Sequence, residues 1–389
     1  MKPSLLFYCQ HALGMGHLVR SFALAAALTR HFQVVFLNGG PLPPGFAAPD
    51  GVTVIDLPPL GLAEGYALIS RDSRYSVEEA QRQRRVQVLA ALADCDPRVI
   101  LIELFPFGRK KFAFELLPLL KAARRQRRPP LIFSSVRDIL VGARHDAQRH
   151  DDRAAWLANR YFDGVLTHAD PRFARLEESF HPARPLTIPV HYTGFVSARR
   201  AVAPEQTRAR RVWVSSGGGI VGAPLLKAAV RAQRQLWERT GLPMTVVAGP
   251  FLPESEWRGL GEVAAGAPGL QLLRSLPDLG AVLGRVALSV SQCGYNTAMD
   301  ILAARVPALV VPFAEGREDE QMKRARRLEG LGLVRVLEAE RLSGETLAEE
   351  LQALGAFRPQ PLVLDLHGAD NSARLLSHLM AQARMRAPA

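Results

Sequence analysis

Two glycine-rich turns, Gly14-Met15-Gly16-His17 and Ser215-Ser216-Gly217-Gly218-Gly219, lie about two hundred residues apart, and each follows a short apolar run and opens a helical one. A helix N-terminus presents unpaired N–H groups and the positive end of its dipole, and glycine lets the backbone approach a phosphate closely. Two such turns suit a nucleotide-activated substrate. In the first, Gly14 and Gly16 frame His17, a side chain able to take a proton near neutral pH, although a simple helix-entrance turn reads the same way. In the second, Ser216, Gly217, Gly218 and Gly219 offer backbone N–H groups to a diphosphate. No Gly-Lys-Ser/Thr follows, which argues against nucleotide hydrolysis of the P-loop type.

The stretch from Ser291 to Gln321 is the most specific in the chain. Gly294 permits a turn after a strand, and Asn296 or Thr297 can cap the following helix. Asp300 lies near the start of that helix, where a carboxylate could grip two ribose hydroxyls or simply face the dipole. Glu320-Gln321 opens another helix and offers an acceptor and an amide to sugar hydroxyls. In the first half, Phe105-Pro106-Phe107-Gly108 runs into Arg109-Lys110-Lys111, an aromatic and cationic turn fit for an anionic or lipid-linked group or for a core. Arg137-Asp138 reads as a phosphate site or a local ion pair. Thr167-His168-Ala169-Asp170 reads as a capped turn, and His191 as part of an interdomain wall.

These turns need strands before them and helices after them. Apolar runs at Leu5–Cys9, Val34–Leu37, Val52–Ile55, Val99–Leu104, Leu131–Ser134 and Val165–Thr167 alternate with helical stretches such as Leu18–Leu28, Val77–Ala93 and Phe112–Arg125. The second half repeats the pattern at Val212–Val214, Thr245–Ala248, Leu270–Leu273, Ala287–Val290 and Ala308–Val311. Near-continuous apolar strands alternating with helices predict parallel sheets covered on both faces, hence an α/β chain of two Rossmann-like halves. Ligands in such sheets collect beyond the carboxyl ends of the strands, where these turns lie. The charged segment Ser197–Arg210 reads as a linker. Expected domains are residues 1–196, residues 197–366, and a last segment, 367–389, whose helix packs back on the first domain.

A chain of 389 residues exceeds what one core usually supports, and 48% hydrophobic with 22% charged residues is an ordinary globular composition. Three cysteines, Cys9, Cys95 and Cys293, have no metal-ligand spacing, and Asp94-Cys95-Asp96 reads as a helix end, so neither disulfides nor metal are expected. No apolar run is long enough for a signal peptide or a membrane span, so a cytoplasmic protein is expected, with a peripheral site at an anionic membrane surface a further option. The net charge of +12 is concentrated: Arg71 to His150 holds 17 Lys or Arg against 9 Asp or Glu. With 7% aromatic residues and no recognition motif, nucleic acid is not the expected partner.

Taken in order, GMGHLVRSFALAAAL, ELFPFGRKKFAFELLP at Glu103–Pro118, SSVRDIL at Ser134–Leu140, YFDGVLTHADPRF at Tyr161–Phe173, YTGFV at Tyr192–Val196, CGYNTAMDIL and EDEQ cover nearly the whole chain. This set resembles the GT-B glycosyltransferases, specifically the family 28 branch that contains the lipid II-forming N-acetylglucosaminyltransferase. The resemblance implies two Rossmann-like domains facing a cleft, with the nucleotide-sugar donor on the C-terminal domain and the acceptor on the N-terminal one. It assigns Ser216 and Gly217–Gly219 to the donor diphosphate, Gly294, Asn296 and Thr297 to phosphate support, Asp300 to the ribose, and Glu320 and Gln321 to the sugar. Relatives generally carry Glu at the ribose position and an aromatic residue over the base near Arg274-Ser275-Leu276; this chain has Asp300 and Ser275 beside Leu276. His17 matches the family's loop histidine, a base or acceptor-steadying group, with Gly14, Gly16, Phe105, Phe107, Arg109, Arg137 and Asp138 on the acceptor side. The expected activity is inverting transfer of a hexose or N-acetylhexosamine from a UDP-sugar without metal or other cofactor. A UDP-sugar 2-epimerase and a non-catalytic nucleotide-sugar binder share the architecture and stay open.

Overall fold

A computed structural model describes residues 2–11, 16–40, 42, 46–63, 67–140, 146–197, 208–276, 278–313 and 319–386. Gly14, Glu318 and most of the expected linker fall outside these residues. The chain divides into two compact units: Met1–Leu140, Arg144–Val196 and Leu364–Ala389 form the first, and Ser197–Val363 the bulk of the second.

The first unit runs β1 (Ser4–Cys9), α1 (Gly16–Leu28), β2 (Gln33–Asn38), β3 (Val52–Asp56), a small antiparallel pair β4 (Leu60–Leu62) and β5 (Leu68–Ser70), α2 (Val77–Cys95), β6 (Val99–Glu103), α3 (Ala113–Arg125), β7 (Leu131–Arg137), α4 (Ala147–Tyr161), β8 (Gly164–His168) and β9 (Val190–Tyr192). Its sheet is parallel with order β3-β2-β1-β6-β7-β8-β9. Chain order therefore reverses between β1 and β6, and this is where parallel sheets open a crevice for ligands. Period-2 alternation builds the two faces: Leu5, Phe7 and Cys9 join one buried cluster with α1, and Leu6 and Tyr8 join another with α2 and α3. Each fully buried leucine or phenylalanine contributes roughly 1.5–3 kcal/mol. Ser76 and Glu79 form a reciprocal capping box at the start of α2, and Asp96 ends it in the left-handed conformation, so the Asp94–Asp96 cluster is a helix end.

The second unit runs β10 (Ala209–Ser215), α5 (Ala223–Thr240), β11 (Met244–Val247), α6 (Glu254–Ala264), β12 (Leu270–Leu273), α7 (Leu279–Leu283), β13 (Val286–Ser291), α8 (Tyr295–Ala304), β14 (Ala308–Val310), α9 (Glu320–Gly330), β15 (Arg335–Val336) and α10 (Gly344–Leu354). Its sheet, again parallel, has order β12-β11-β10-β13-β14-β15, and the reversal falls between β10 and β13. The chain then returns to the first unit through Phe195 N–H donating to the Asp365 carbonyl (2.7 Å) and α11 (Gly368–Arg386), whose Ala373, Leu376 and Met380 join the β1 and α1 cluster.

Candidate active site

In the first unit the two strands at the reversal each deliver one group. β1 leads to α1, which carries His17 and Arg20 three residues apart on one face. β6 ends at Glu103, an acid with no exposed surface. His17 Nδ1 lies 2.5 Å from Glu103 Oε1, and Arg20 Nη2 donates to the same oxygen at 2.6 Å. Arg109 Nε stands 3.7 Å from Glu103 Oε2. A buried charge needs such compensation. Burial pushes the His17 imidazole down to about 3, the Arg109 and Arg20 cations act the same way, and Glu103 opposes them. Burial alone would raise Glu103, but the imidazole, Arg109 and Arg20 overcome it and hold the carboxyl at about 2. The arrangement is a neutral histidine donating Nδ1–H to a carboxylate. Its Nε2 is left as the proton acceptor, on a side chain that is 16% exposed.

The turn after Glu103 separates the residues that sequence grouped together. Leu104 and Arg109 both adopt left-handed backbone, with φ of 61° and 56°. Such strain persists where surrounding structure enforces it, often at functional turns. It sends Arg109 toward Glu103 and turns Phe107 into the core against Phe180, with ring centroids 4.9 Å apart. Phe105 is 1% exposed and packs toward Phe162. Both aromatics are therefore packed side chains in this structure, the core alternative of the sequence reading. Gly16 is the first residue of α1. Arg137, the last residue of β7, is half-buried and Asp138 is buried. His168 is wholly enclosed, bonded to Ser135 Oγ through Nε2 (2.8 Å) and Thr193 Oγ1 through Nδ1 (2.9 Å), and burial pushes it down to about 3.

A second buried pair braces this unit. Arg84 donates to Glu115 from Nε and Nη2, to the Gly39 and Pro58 carbonyls, and to Gln10 Oε1, while Tyr8 OH donates to Glu115. With its donors so placed, Arg84 ties the ends of β1 and β2 to α2 and α3.

In the second unit the corresponding positions are made of backbone. After β10, Ser216 Oγ donates to the Ala248 carbonyl (2.6 Å), and Phe251 N–H donates to the Gly218 carbonyl (2.9 Å). Gly219 has φ of +91°, and a Cβ there would stand 2.7 Å from the Ala248 carbonyl oxygen and 2.9 Å from the Leu252 nitrogen. Only glycine fits, so the turn after β10 interlocks with the one after β11. Gly217 and Gly218 lie at the exposed side of that turn. After β13, Gly294 itself occupies the cap position of α8 in extended conformation with no capping side chain. Asn296 and Thr297 are thus helical residues and not the cap, a correction to the sequence reading. Asp300 lies half-buried further along α8.

Glu320 opens α9, and Gln321 Oε1 accepts from the Phe313 N–H at 3.2 Å, which fixes the amide plane. Arg324, on the next turn, is fully buried and donates to the Cys293 carbonyl at 2.7 Å, tying α9 to the turn before α8. Leu276 is half-buried between β12 and α7, and Ser275 is exposed. Gly14 lies outside the described residues. Among those described, no group of three His, Cys, Asp or Glu is arranged to hold a metal, and no helix is long and apolar enough to cross a membrane.

Sequence reasoning missed Glu103 and Arg20 as site residues. The signal was available: VILIE places one acid at the end of an otherwise apolar strand, where it must be buried and paired.

Residues 217–370 match the glycosyltransferase family 28 C-terminal domain. Over 360 residues, 92% of this chain and 85% of the other, the chain is 25% identical to the UDP-N-acetylglucosamine–N-acetylmuramyl-(pentapeptide) pyrophosphoryl-undecaprenol N-acetylglucosamine transferase of Novosphingobium aromaticivorans. It is 31% identical to the Erythrobacter litoralis protein of the same name over 97 residues, which span 25% of this chain and 24% of that one. Among solved structures it is similar to the calicheamicin glycosyltransferase CalG4, with a TM-score of 0.58, 17% identity and 99% and 97% of the two chains covered. It is also similar to Acinetobacter baumannii MurG, with a TM-score of 0.55, 15% identity and 99% and 100% covered. A Listeria monocytogenes protein described as a putative UDP-N-acetylglucosamine 2-epimerase gives a TM-score of 0.56 at 14% identity, covering 99% and 96%. The chain has the GT-B glycosyltransferase fold. Within that class it is related to the family 28 N-acetylglucosaminyltransferases.

Proposed function

We propose that the protein is an inverting glycosyltransferase that moves a hexose or N-acetylhexosamine from a UDP-sugar to the hydroxyl of an acceptor. The observation that carries this reading is the His17–Glu103 pair, 2.5 Å apart at the end of β6, which orients a neutral imidazole as a base. The acceptor oxygen attacks the anomeric carbon as the bond from that carbon to the diphosphate oxygen breaks. The hydroxyl proton passes to His17 Nε2, the imidazolium is stabilised by Glu103, and the nucleotide diphosphate leaves with the electron pair. The turn at Ser216–Gly219 and the α8 entrance at Gly294–Thr297 receive the leaving diphosphate, Asp300 the ribose, Leu276 the base, and Glu320 and Gln321 the sugar. Backbone donors and helix dipoles supply the positive potential, so the reaction proceeds without a divalent ion.

Arg109, Arg137 and Asp138 serve the acceptor side, and the basic first unit favours an anionic or lipid-linked acceptor presented at a membrane surface from the cytoplasm. A thermal-shift screen of UDP-, GDP- and dTDP-sugars in EDTA tests the reading. UDP-sugars raise the melting temperature, by the equivalent of about 2.7 kcal/mol at 100 times Kd. If no nucleotide sugar shifts it, the proposal fails. The likeness to the epimerase structure supports a second reading, and incubation with UDP-N-acetylglucosamine alone decides it: a 2-epimer in the product would establish isomerisation.

A further inference from the structure

Two helices of the second unit start from nearly the same backbone conformation with different residues. Pro253 caps α6 at φ −53° and ψ 143°, and Gly294 caps α8 at φ −63° and ψ 153°. Any residue adopts such angles, and a Cβ at position 294 would meet nothing within 4 Å. Neither backbone strain nor crowding inside the chain therefore calls for glycine there. The chemical difference between the two starts is an N–H, which proline lacks and which at Gly294 has no partner among the described residues. The direction of this N–H is set from behind. Arg324 of α9 is wholly buried: its Nη1 donates to the Cys293 carbonyl at 2.7 Å, and its guanidinium lies 5.7 Å from the ring centroid of Tyr295, which is itself buried. One side chain thus grips the residues on both sides of Gly294. In a planar trans peptide the C=O and the following N–H point in opposite directions, so drawing the Cys293 oxygen inward to Arg324 turns the Gly294 N–H outward.

We infer that Arg324 is a positioning residue: it aims the Gly294 N–H at an oxygen of the donor diphosphate, and the missing Cβ leaves that oxygen room to approach. The inference rests on the donor reading above and deepens it, because it gives a task to a buried cation that touches no ligand. Glu320 lies one turn before Arg324, so the same arginine also fixes the start of α9 against the start of α8. The sugar end and the diphosphate end of the donor are thereby held at one spacing. A hydrogen bond to a charged oxygen is roughly twice as strong as one between neutral groups, so the aim of a single N–H is measurable.

Calorimetric titration of the full chain with UDP, pyrophosphate and uridine tests this. Gly294→Pro removes the N–H at a φ that proline adopts, and it weakens UDP and pyrophosphate at least tenfold more than Gly294→Ala, which adds a Cβ and keeps the donor. Arg324→Met weakens both anions at least tenfold and changes uridine by less than about threefold. In the Gly294→Pro background Arg324→Met costs less than about threefold more, because the group it aims is gone. Should Arg324→Met fail to fold, Arg324→Lys takes its place in the cycle, since an ammonium keeps the charge and loses the planar fork. Equal losses in the two backgrounds, a loss for uridine as large as for UDP, or equal binding by Gly294→Pro and Gly294→Ala overturns the inference and leaves the donor reading standing. A parent protein that binds neither UDP nor pyrophosphate overturns both.

Discussion

The two units share a sheet plan yet equip the same position differently. At the β1/β6 reversal stand four side chains, His17, Arg20, Glu103 and Arg109, with the acid wholly buried. At the β10/β13 reversal the surface is shaped by glycine turns and a helix entrance with no capping side chain. On the proposed reading the first arrangement tunes and moves a proton, and the second holds an anion whose charge does not change hands. Duplicated topology thus fixes where a site lies, and residue chemistry at that place decides what it does.

Breaking the second unit by shape alone strikes donor binding. Gly219→Val forces a side chain into the Ala248 carbonyl in a left-handed backbone, and donor affinity falls on the order of 100-fold, about 2.7 kcal/mol. Gly259→Ala, with open space around that α6 position, leaves affinity unchanged and serves as the control in the same titration.

The acid response sharpens the contrast from the other side. His17 and His168 are both held at about 3 in the first unit, against about 6.5 for an unfolded histidine. Between these values the unfolded chain binds more protons, so stability falls as pH drops below about 6.5. The slope approaches about 1.4 kcal/mol per pH unit for each histidine. Below about 4.5, Glu103, held at about 2, adds to the loss. Urea unfolding from pH 7 to pH 5 measures the slope, and His168→Asn reduces it by one histidine's share. An unchanged slope in that variant would show that His168 is not buried neutral.

Much of this was legible in the residues. Apolar runs such as Leu5–Cys9 and Val99–Leu104 announced strands because both faces of a parallel sheet are buried. Turns rich in glycine announced where the chain passes from strand to helix, as at Gly16 and at Gly294. The short β15, Arg335–Val336, carries no such pattern, since an edge strand need not be apolar on both faces. Within the site, His17 was evident from its glycine frame, whereas its partner Glu103 lies 86 positions away and is brought to it only by the β1 and β6 pairing. The fate of Phe105 and Phe107 could not be read from their types, because an aromatic beside cations fits a core and a binding face equally well. Backbone strain at Leu104 and Arg109 separated them, and dihedral angles leave no composition signal.

The division of labour between units is tested most directly by measuring donor affinity and turnover together in His17→Ala and Glu103→Gln. Both variants should bind UDP-sugar within about twofold of the parent while transfer falls about 10²- to 10⁴-fold for His17→Ala and less for Glu103→Gln. Donor affinity that falls in step with turnover, or turnover that survives loss of the imidazole, would contradict it.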